Sequence, residues 1–344
     1  MKKTGRVALF LICVAMLLTT PATTAVSAEE FNTISLRIGH TEAIDSIRED
    51  ACQFFVNRIS ELTGGNVTVT SFAASQLGSI PAMVEQLQTG GLDFTLATPG
   101  ILESYDPDGK TGIAQMPYLF ETYEQAWAFM DGDYNTKLYD PLIGRNVRLV
   151  AMWENGFRHT TNSSRPIEKP EDLRGLKIRV PQNRAIETVM NSLGANPVPM
   201  AIAEVYTALQ SKVLDGQENP YSVVIGNRFV EVQQYMSLTS HMYEPIVMIV
   251  SEHTWNRLNE STREAVVTAG KDAGAFIRQA VVDMEAQWKA DLEAEGMLIN
   301  APDLTPFMEV VEGAYAQFHE TYGEGAVIEC LAEAAKIREQ FPAP

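Results

Sequence analysis

The chain has 344 residues, of which 45% are hydrophobic, and its formal net charge is −18 at pH 7. So acidic a protein repels nucleic acid and anionic membrane surfaces, which excludes both as expected partners. Its length exceeds what one hydrophobic core comfortably fills, so we expect two domains.

The first 28 residues have the composition of a cleaved secretory signal peptide. Lys2, Lys3 and Arg6 precede an apolar run over residues 7–18, and small residues end the segment at Ala28. A run of about 12 residues is too short to span a bilayer, which needs roughly 20. We therefore expect export to the periplasm. The mature chain would hold 344 − 28 = 316 residues, with a net charge of −18 − 3 = −21.

The segment that follows predicts a β-α-β-α-β unit. Apolar residues alternate over 34–38, which is typical of a strand. Ser46 and Glu49 have the spacing of a capping box and predict the start of a helix. This order of elements is typical of an α/β sheet. The unit continues with a strand from residue 67, a helix over 81–89 and a strand over 92–96.

The same order of elements returns after residue 145 without a sequence repeat. Two α/β units in one chain predict two lobes with a cleft between them. We assign residues 29–155 and 245–284 to lobe 1, and residues 156–244 and 285–344 to lobe 2. The second unit comprises strands over 147–153 and 176–180, helices over 184–193 and 204–212, and a buried strand over 246–250.

A long apolar pattern from Ser261 to Leu292 predicts one helix of about 34 residues. Ser261 and Glu264 form a capping box at its start. At 1.5 Å per residue the helix is about 50 Å long, which is enough to lie across both lobes. A kink at Gly270 or Gly274 is the alternative. Two more helices are predicted over 306–322 and 327–340.

Cys52 and Cys330 are the two cysteines of the predicted mature chain. An oxidising periplasm permits a disulfide between them. Pairing requires close and well-oriented Cα positions, which the sequence does not give. A disulfide and two buried thiols therefore both stay open.

The sequence lacks the motifs of the common enzyme classes. Its five histidines are dispersed without an HExxH pair, and CxxC, GxSxG and GxGxxG patterns do not occur. Gly109-Lys110-Thr111 resembles the end of a phosphate loop, but Ser104 stands where that loop needs glycine. We therefore expect no catalysis, no cofactor and no metal site.

Four groups of segments, in the same order over nearly the whole mature chain, resemble one family. They are IGHT (38–41) with TGGNV (63–67), SQLG (75–78) with GLDF (91–94) and MPYLF (116–120), ENGFRHTTN (154–162), and LRGLKIRVP (173–181) with EVYTALQ (204–210) and DGQENP (215–220). The chain is similar here to the solute receptors of tripartite ATP-independent periplasmic (TRAP) transporters, in the group that includes the dicarboxylate receptors.

This resemblance implies a two-lobed α/β binding protein with a hinge and a long helix that spans both lobes. It also implies a small carboxylate ligand. The partners would be a small and a large integral membrane subunit that take up the ligand with an ion gradient, usually of sodium. We expect the receptor itself to be a monomer.

Arg179 is the principal candidate for holding the ligand carboxylate. Leu176, Ile178 and Val180 point to one side of their strand, so Arg179 points to the other. Its guanidinium can meet a carboxylate with two parallel hydrogen bonds. Open α/β sheets bind ligands at the carboxyl ends of strands, and the resemblance places the carboxylate-binding arginine here. The alternative is a solvated arginine paired with a surface glutamate.

The resemblance adds Asn219 and Arg158 to the site. Pro220 holds Asn219 extended, and its amide offers both a donor and an acceptor, although it could instead form a turn. Arg158 would be a second ligand arginine, and a salt bridge between the lobes is the alternative.

Glu42 lies in the loop after the first strand, where the first-lobe contacts of the family fall. A carboxylate there would accept hydrogen bonds from ligand hydroxyls and would repel a second ligand carboxylate. Capping of the following helix is the alternative role. The weaker candidates from neighbouring loops are His40, Thr98, Gln182, Asn183, Tyr221 and Tyr243.

These residues predict a receptor for a small organic acid, with a sugar acid such as a hexuronate or aldonate favoured over a C4-dicarboxylate. Ile202 stands where the sialic-acid receptors of the family carry an aromatic residue, which argues against sialic acid. The alternatives from other classes are a periplasmic enzyme acting on a sugar acid and a receptor that presents its ligand to a signalling protein.

Overall fold

The structure, a computed structural model, describes residues 31–343, and the predicted signal peptide over 1–28 lies outside them. The described part is a mixed α/β protein with one nine-stranded sheet. Its strands are β1 (Ile34–Gly39), β2 (Val67–Phe72), β3 (Phe94–Ala97), β4 (Val147–Asn162), β5 (Lys177–Val180), β6 (Asn196–Pro199), β7 (Gly216–Asn219), β8 (Tyr235–Ser251) and β9 (Leu298–Asn300).

Thirteen α-helices accompany this sheet within the described residues. They are α1 (Ile47–Leu62), α2 (Ile80–Gln88), α3 (Pro99–Leu102), α4 (Tyr123–Asp131), α5 (Asp133–Lys137), α6 (Arg184–Ser192), α7 (Ile202–Gln210), α8 (Tyr221–Gly226), α9 (Glu252–Trp255), α10 (Glu260–Ala294), α11 (Thr305–Glu312), α12 (Tyr315–Tyr322) and α13 (Glu324–Gln340).

The strand order divides the sheet into two parallel groups joined by two long strands. The order is β2-β1-β3-β8-β4-β7-β5-β6, and β9 pairs with β8. β1 pairs in parallel with β2 and β3, and β5 pairs in parallel with β6 and β7. β3 and β7 each pair antiparallel with a long strand, β8 and β4 respectively. The predicted two-lobed α/β architecture is confirmed.

β4 and β8 run antiparallel through both halves of the sheet. Their register extends from Val147 opposite Ser251 to Asn162 opposite Tyr235, with irregularities near Gly156. Gly156 has a φ of 124°, which a residue with a Cβ rarely adopts. The prediction of strands over 147–153 and 246–250 was therefore too short. β4 continues through mainly polar residues that are buried, and β8 begins with a stretch over 235–245 in which polar and apolar residues are mixed.

The helix α10 is one continuous element of 35 residues that contacts both α1 and α8. The predicted spanning helix is confirmed, but it begins after the cap Asn259, whose side chain accepts a hydrogen bond from Thr262 N, rather than at Ser261. A Cβ at Gly274 would lie 2.6 Å from the carbonyl oxygen of Met152. This glycine thus permits α10 to lie close against β4, and it does not break the helix.

The carboxyl-terminal helices differ in part from prediction, because the segment over 306–322 forms two helices, α11 and α12. The last helix, α13, packs on α4, and the carbonyl oxygen of Phe341 just beyond it accepts a hydrogen bond from Gln125. This contact involves a segment that we assigned to the other lobe, and the division of the chain between the lobes stays a prediction. Cys52 and Cys330 are both buried free thiols.

No helix within residues 31–343 combines the length and the apolar character that a membrane span would need.

Candidate functional site

A cavity of about 350 Å³ lies where the two parallel groups of strands end. β1 and β3 are parallel neighbours, and His40 and Thr98 follow their carboxyl ends. β5 and β7 are also parallel neighbours, and Arg179 and Asn219 lie near their carboxyl ends. All four residues line the cavity. Its volume and position are typical of a small-molecule site in an open α/β protein.

Arg179 reaches the cavity from β5 and is 4% exposed. Its Nε and Nη2 donate hydrogen bonds to the carbonyl oxygen of Met200 at 2.9 and 2.7 Å. Within residues 31–343 it forms no ion pair. Burial lowers the pKa of Arg179 to about 10, although the charge of Glu218 opposes this. A buried positive charge that no carboxylate contacts directly is suited to receive an anion.

Arg158 also lines the cavity, but two buried carboxylates hold its guanidinium. Its Nε donates to Oε2 of Glu218 at 2.5 Å, and its Nη2 donates to Oε1 and the carbonyl oxygen of Glu218, both at 2.7 Å. Its Nη1 donates to Glu244. Burial lowers the pKa of Arg158, but the charges of Glu218 and Glu244 outweigh it and raise the pKa. In the predicted division of the chain, Arg158, Glu218 and Glu244 belong to the same lobe, so these ion pairs are not the salt bridge between the lobes that was the alternative.

The other predicted residues divide into those at the cavity and those away from it. His40, Glu42, Gln182 and Asn219 line it, together with Thr98. Asn219 is extended at the end of β7, as predicted, and its Nδ2 donates to Oε1 of Gln217 at 2.6 Å.

Tyr221, Tyr243 and Asn183 lie outside the cavity lining. The ring of Tyr221 packs edge-on against His159. Tyr243 belongs to a buried aromatic cluster, and its hydroxyl donates to Oε2 of Glu154 at 2.9 Å. The side chain of Asn183 caps α6, where its Oδ1 accepts a hydrogen bond from the backbone of Ile186.

Sequence reasoning missed Arg48, which lines the cavity from the first turn of α1 and is 4% exposed. Its Nη2 donates to Oδ1 of Asn155 at 2.7 Å, while its Nε has no hydrogen-bond partner among the described residues. Burial lowers the pKa of Arg48, and the charge of Glu42 opposes this. A signal was present, because Arg48 has helical spacing to Cys52, Phe55 and Ile59 on the buried face of α1.

Two more buried polar atoms at the cavity lack partners in the described part of the chain. They are Nδ1 of His40 and Oγ1 of Thr98. The other ring nitrogen of His40, Nε2, lies 2.6 Å from Oε2 of Glu49. Buried polar atoms are normally hydrogen-bonded, so these two atoms and Arg48 Nε are exceptions among the residues that line the cavity.

His40, Glu49 and Cys52 bring one potential metal-ligand atom each to within 4.8 Å of one another. Burial raises the pKa of the Cys52 thiol, which keeps it protonated at neutral pH. The Glu49 carboxylate already accepts hydrogen bonds from Gln53 and Ser71. A protonated thiol is a poor metal ligand, so this cluster is better described as an internal hydrogen-bonded group.

The sequence model of the bacterial extracellular solute-binding proteins, family 7, matches residues 38–321 of this chain. The sialic acid-binding periplasmic protein SiaP of Vibrio cholerae is 30% identical over 299 residues, which cover 87% of this chain and 92% of SiaP.

Solved structures of TRAP receptors share this fold. The sugar acid binding protein DctPAm of Advenella mimigardefordensis, in complex with galactonate, is 30% identical with a TM-score of 0.85, covering 89% of this chain and 99% of that one. A TRAP periplasmic solute binding protein of Sulfurospirillum deleyianum with bound succinate is 26% identical with a TM-score of 0.81, covering 88% of this chain and 99% of that one.

Proposed function

The chain belongs to family 7 of the bacterial extracellular solute-binding proteins, the solute receptors of TRAP transporters, and from this premise we propose that it captures a sugar acid for uptake. The proposed ligand is a monocarboxylate such as an aldonate or a hexuronate. After cleavage of the signal peptide the receptor would act in the periplasm. It would deliver its ligand to the small and large membrane subunits of the permease.

The observation that carries this proposal is the environment of Arg179. The residue is buried beside the cavity, and its hydrogen bonds go to a carbonyl oxygen, which cancels no charge. Its Nη1 amino group makes no hydrogen bond within the described residues. A ligand carboxylate would supply the missing negative charge in a medium where water screens it little.

The remaining lining supports an acid that carries hydroxyl groups. Asn219 would contact the carboxylate beside Arg179, and Gln182 would add an amide at the rim. Glu42 would accept hydrogen bonds from ligand hydroxyls, and its charge would oppose a second ligand carboxylate. The side chain of Ile202 lines the same cavity and offers no aromatic face for stacking.

Arg158 has a different role in this proposal. Because Glu218 and Glu244 cancel its charge, it would contribute at most one remaining N–H group to the ligand. Closure of the two lobes around the acid would exclude water and create the surface that the membrane subunits recognise.

A thermal-shift screen of the purified mature protein against organic acids tests the proposal. An acid at about 100 times its dissociation constant adds roughly 2.7 kcal/mol of stability, which raises the melting temperature by roughly 5 °C in a protein of this size. We expect such shifts with aldonates or hexuronates. A shift only with succinate-like acids would keep the receptor function and replace the ligand class. The absence of a shift with any acid would contradict the proposal.

Arg179→Ala should abolish the shift, since loss of a charge-assisted contact to a buried carboxylate costs on the order of 2–5 kcal/mol of binding free energy. Arg174→Ala is the matched control, because Arg174 is an exposed arginine outside the cavity lining. Unchanged affinity in Arg179→Ala would contradict the assignment of the carboxylate site.

A further inference from the structure

We infer that Glu103, Gln115, Asn183 and Arg184 form a contact outside the cavity that holds the receptor closed and slows release of the ligand. We call it the closing contact. This inference rests on the proposed function, because a receptor that captures an acid must admit it and later let it go. It assigns control of the ligand's residence time to residues that lie outside the cavity lining.

The burial of the cavity residues requires the two parallel groups of strands to separate when a ligand enters. Arg179 and Asn219, which the proposed function places on the carboxylate, are each 4% exposed. An acid reaches them from solvent only if the elements that follow β1 and β3 move away from those that follow β5 and β7. A contact that joins these two sets of elements breaks in that movement, so it favours the closed form.

The closing contact joins two such elements. Gln115 ends the 3-10 helix Thr111–Gln115, which follows β3 and α3 in the chain, and Asn183 is the N-cap of α6, which follows β5. Nδ2 of Asn183 donates a hydrogen bond to Oε1 of Gln115 at 2.9 Å, and both side chains are buried. Nε of Arg184, the next residue along α6, lies 3.1 Å from Oε1 of Glu103 at the end of α3.

Neighbouring side chains hold the two acceptors of the closing contact in place. Nε2 of Gln115 donates to Oε1 of Glu244 at 2.9 Å, so the amide oxygen of Gln115 faces Asn183. Oε2 of Glu103 accepts a hydrogen bond from Tyr322 at 2.9 Å, which fixes this carboxylate. Little side-chain freedom is then left to lose when α6 arrives, so the contact favours closure more than a flexible surface pair would.

Gly100 on α3 shows how closely the two sides approach. A Cβ at this position would lie 2.1 Å from Nδ2 and 2.3 Å from Cγ of Asn183, so glycine leaves the space that this side chain occupies. Gly100 lies within a helix, where alanine is otherwise the favoured residue. Gly100→Ala therefore opposes the closed form, in which Asn183 is adjacent, and is tolerated once the two sides have separated.

Gly100→Ala is the principal test, measured with galactonate and glucuronate on the full mature protein. Calorimetry gives the affinity, and stopped-flow tryptophan fluorescence gives the rates of capture and release. Because the contact forms only after the acid has entered, we expect release of the better-bound acid to be about tenfold faster or more, and capture to stay within about twofold of wild type. Gly325→Ala on α13 is the matched control, since a Cβ there meets no atom within 4 Å in residues 31–343.

Two further variants test the polar partners. Asn183→Asp keeps the oxygen that caps α6 but places a second acceptor against Oε1 of Gln115. We expect it to speed release about tenfold, the value of one buried hydrogen bond. Arg184→Met removes a side chain that is 66% exposed, and should speed release about threefold at most.

Spin labels at Glu85→Cys on α2 and Thr207→Cys on α7 report the separation itself. Both positions are exposed, and the two helices follow strands of different parallel groups. The native thiols of Cys52 and Cys330 are buried, which limits their labelling. At saturating acid we expect one short distance between the labels in the parent, and an additional longer distance when Gly100→Ala is introduced.

The outcomes separate the closing contact from the proposed function. Binding of either acid with the release rate unchanged in both Gly100→Ala and Asn183→Asp would overturn the closing contact and leave the receptor standing. A slower capture with unchanged release would overturn it as well. If Gly100→Ala does not fold, Asn183→Asp decides by the same criterion. Binding of neither acid to the wild-type protein would overturn the proposed function, and the role of the closing contact with it.

Discussion

Arg158 and Arg179 are two buried arginines of one cavity whose hydrogen-bond partners differ. Both are buried, at 1% and 4% exposure, and both line the cavity. Arg158 is held by the carboxylates of Glu218 and Glu244, whereas Arg179 is held by the carbonyl oxygen of Met200. The first guanidinium is neutralised from within the protein and the second is not. Burial alone therefore does not distinguish the two residues, and the absence of a paired carboxylate is the reason to propose Arg179, rather than Arg158, as the ligand arginine.

Among the variants that test this difference, Arg158→Met should change the free energy of unfolding most. This change leaves Glu218 and Glu244 buried without their counter-charge, and breaking a buried ion pair from one side costs about 3–5 kcal/mol. We expect the free energy of unfolding, measured by urea denaturation, to fall by that amount. Arg148→Met is the control on the same strand, because its pair with Glu252 is partly exposed and worth at most about 1 kcal/mol. Equal losses of unfolding free energy in the two variants would contradict a structural role for Arg158.

Glu154, in the buried aromatic cluster, is an acid that, like Arg179, is buried without an ion pair. Glu154 is fully buried, and Trp127 and Tyr243 donate hydrogen bonds to it, but it forms no ion pair within the described residues. Burial raises the pKa of Glu154 to about 7, although these hydrogen bonds oppose the rise. Because the folded state holds this proton more tightly than the unfolded state, the contribution of Glu154 to stability should be complete below about pH 4.5 and should be lost as pH rises through about 7.

Glu154→Gln should remove this pH dependence. Each tenfold change in proton affinity is worth about 1.4 kcal/mol, so the wild-type contribution lost across this interval is on the order of 3 kcal/mol. Urea denaturation at pH 5 and pH 8 measures the difference for both proteins. A slope of stability with pH that is the same in wild type and variant would show that Glu154 ionises normally.

The smallest expected change in stability belongs to Arg179→Met. Removing this guanidinium abolishes a buried charge and also leaves the Met200 carbonyl oxygen without its donor, so the two effects oppose each other. We expect the free energy of unfolding of the ligand-free protein to stay within about 1 kcal/mol of wild type, while sugar-acid binding is lost. A loss of stability as large as that of Arg158→Met would show that Arg179 is structural as well.

Much of the fold could be predicted because local patterns determine it. The alternation over 34–38, the cap at Ser46 and the long apolar stripe of α10 each appear in the structure within a few residues of their predicted bounds. β4 and β8 were predicted too short because polar residues interrupt the apolar pattern near Gly156 on β4 and Glu244 on β8. Asn155, Arg158 and Glu244 are buried only because partners far away in the sequence satisfy them, which no local pattern reveals.

Some residues of the candidate site could be predicted from local sequence patterns, and others depend on partners far away in the sequence. Arg179 could be proposed from strand alternation, which gives the direction of a side chain. The counter-charges of Arg158 lie 60 and 86 residues away, so the sequence could not choose between a ligand contact and a salt bridge. The sequence indicates that Arg48 lies on the apolar face of α1, but only the structure places it in the cavity lining.

The two long strands, β4 and β8, limit where this receptor can be joined to a relative in a chimera. β4 and β8 are hydrogen-bonded to each other from one half of the sheet to the other, so each half contains only a part of both strands. An excised half would keep only part of each long strand, and the buried polar residues at the cut would lose partners, as Glu244 would lose Asn155 or Arg158. A chimera that exchanges one half for that of a relative must therefore splice both strands near residues 155–158 and 242–245 in matching register. It must also carry α10 across the junction intact.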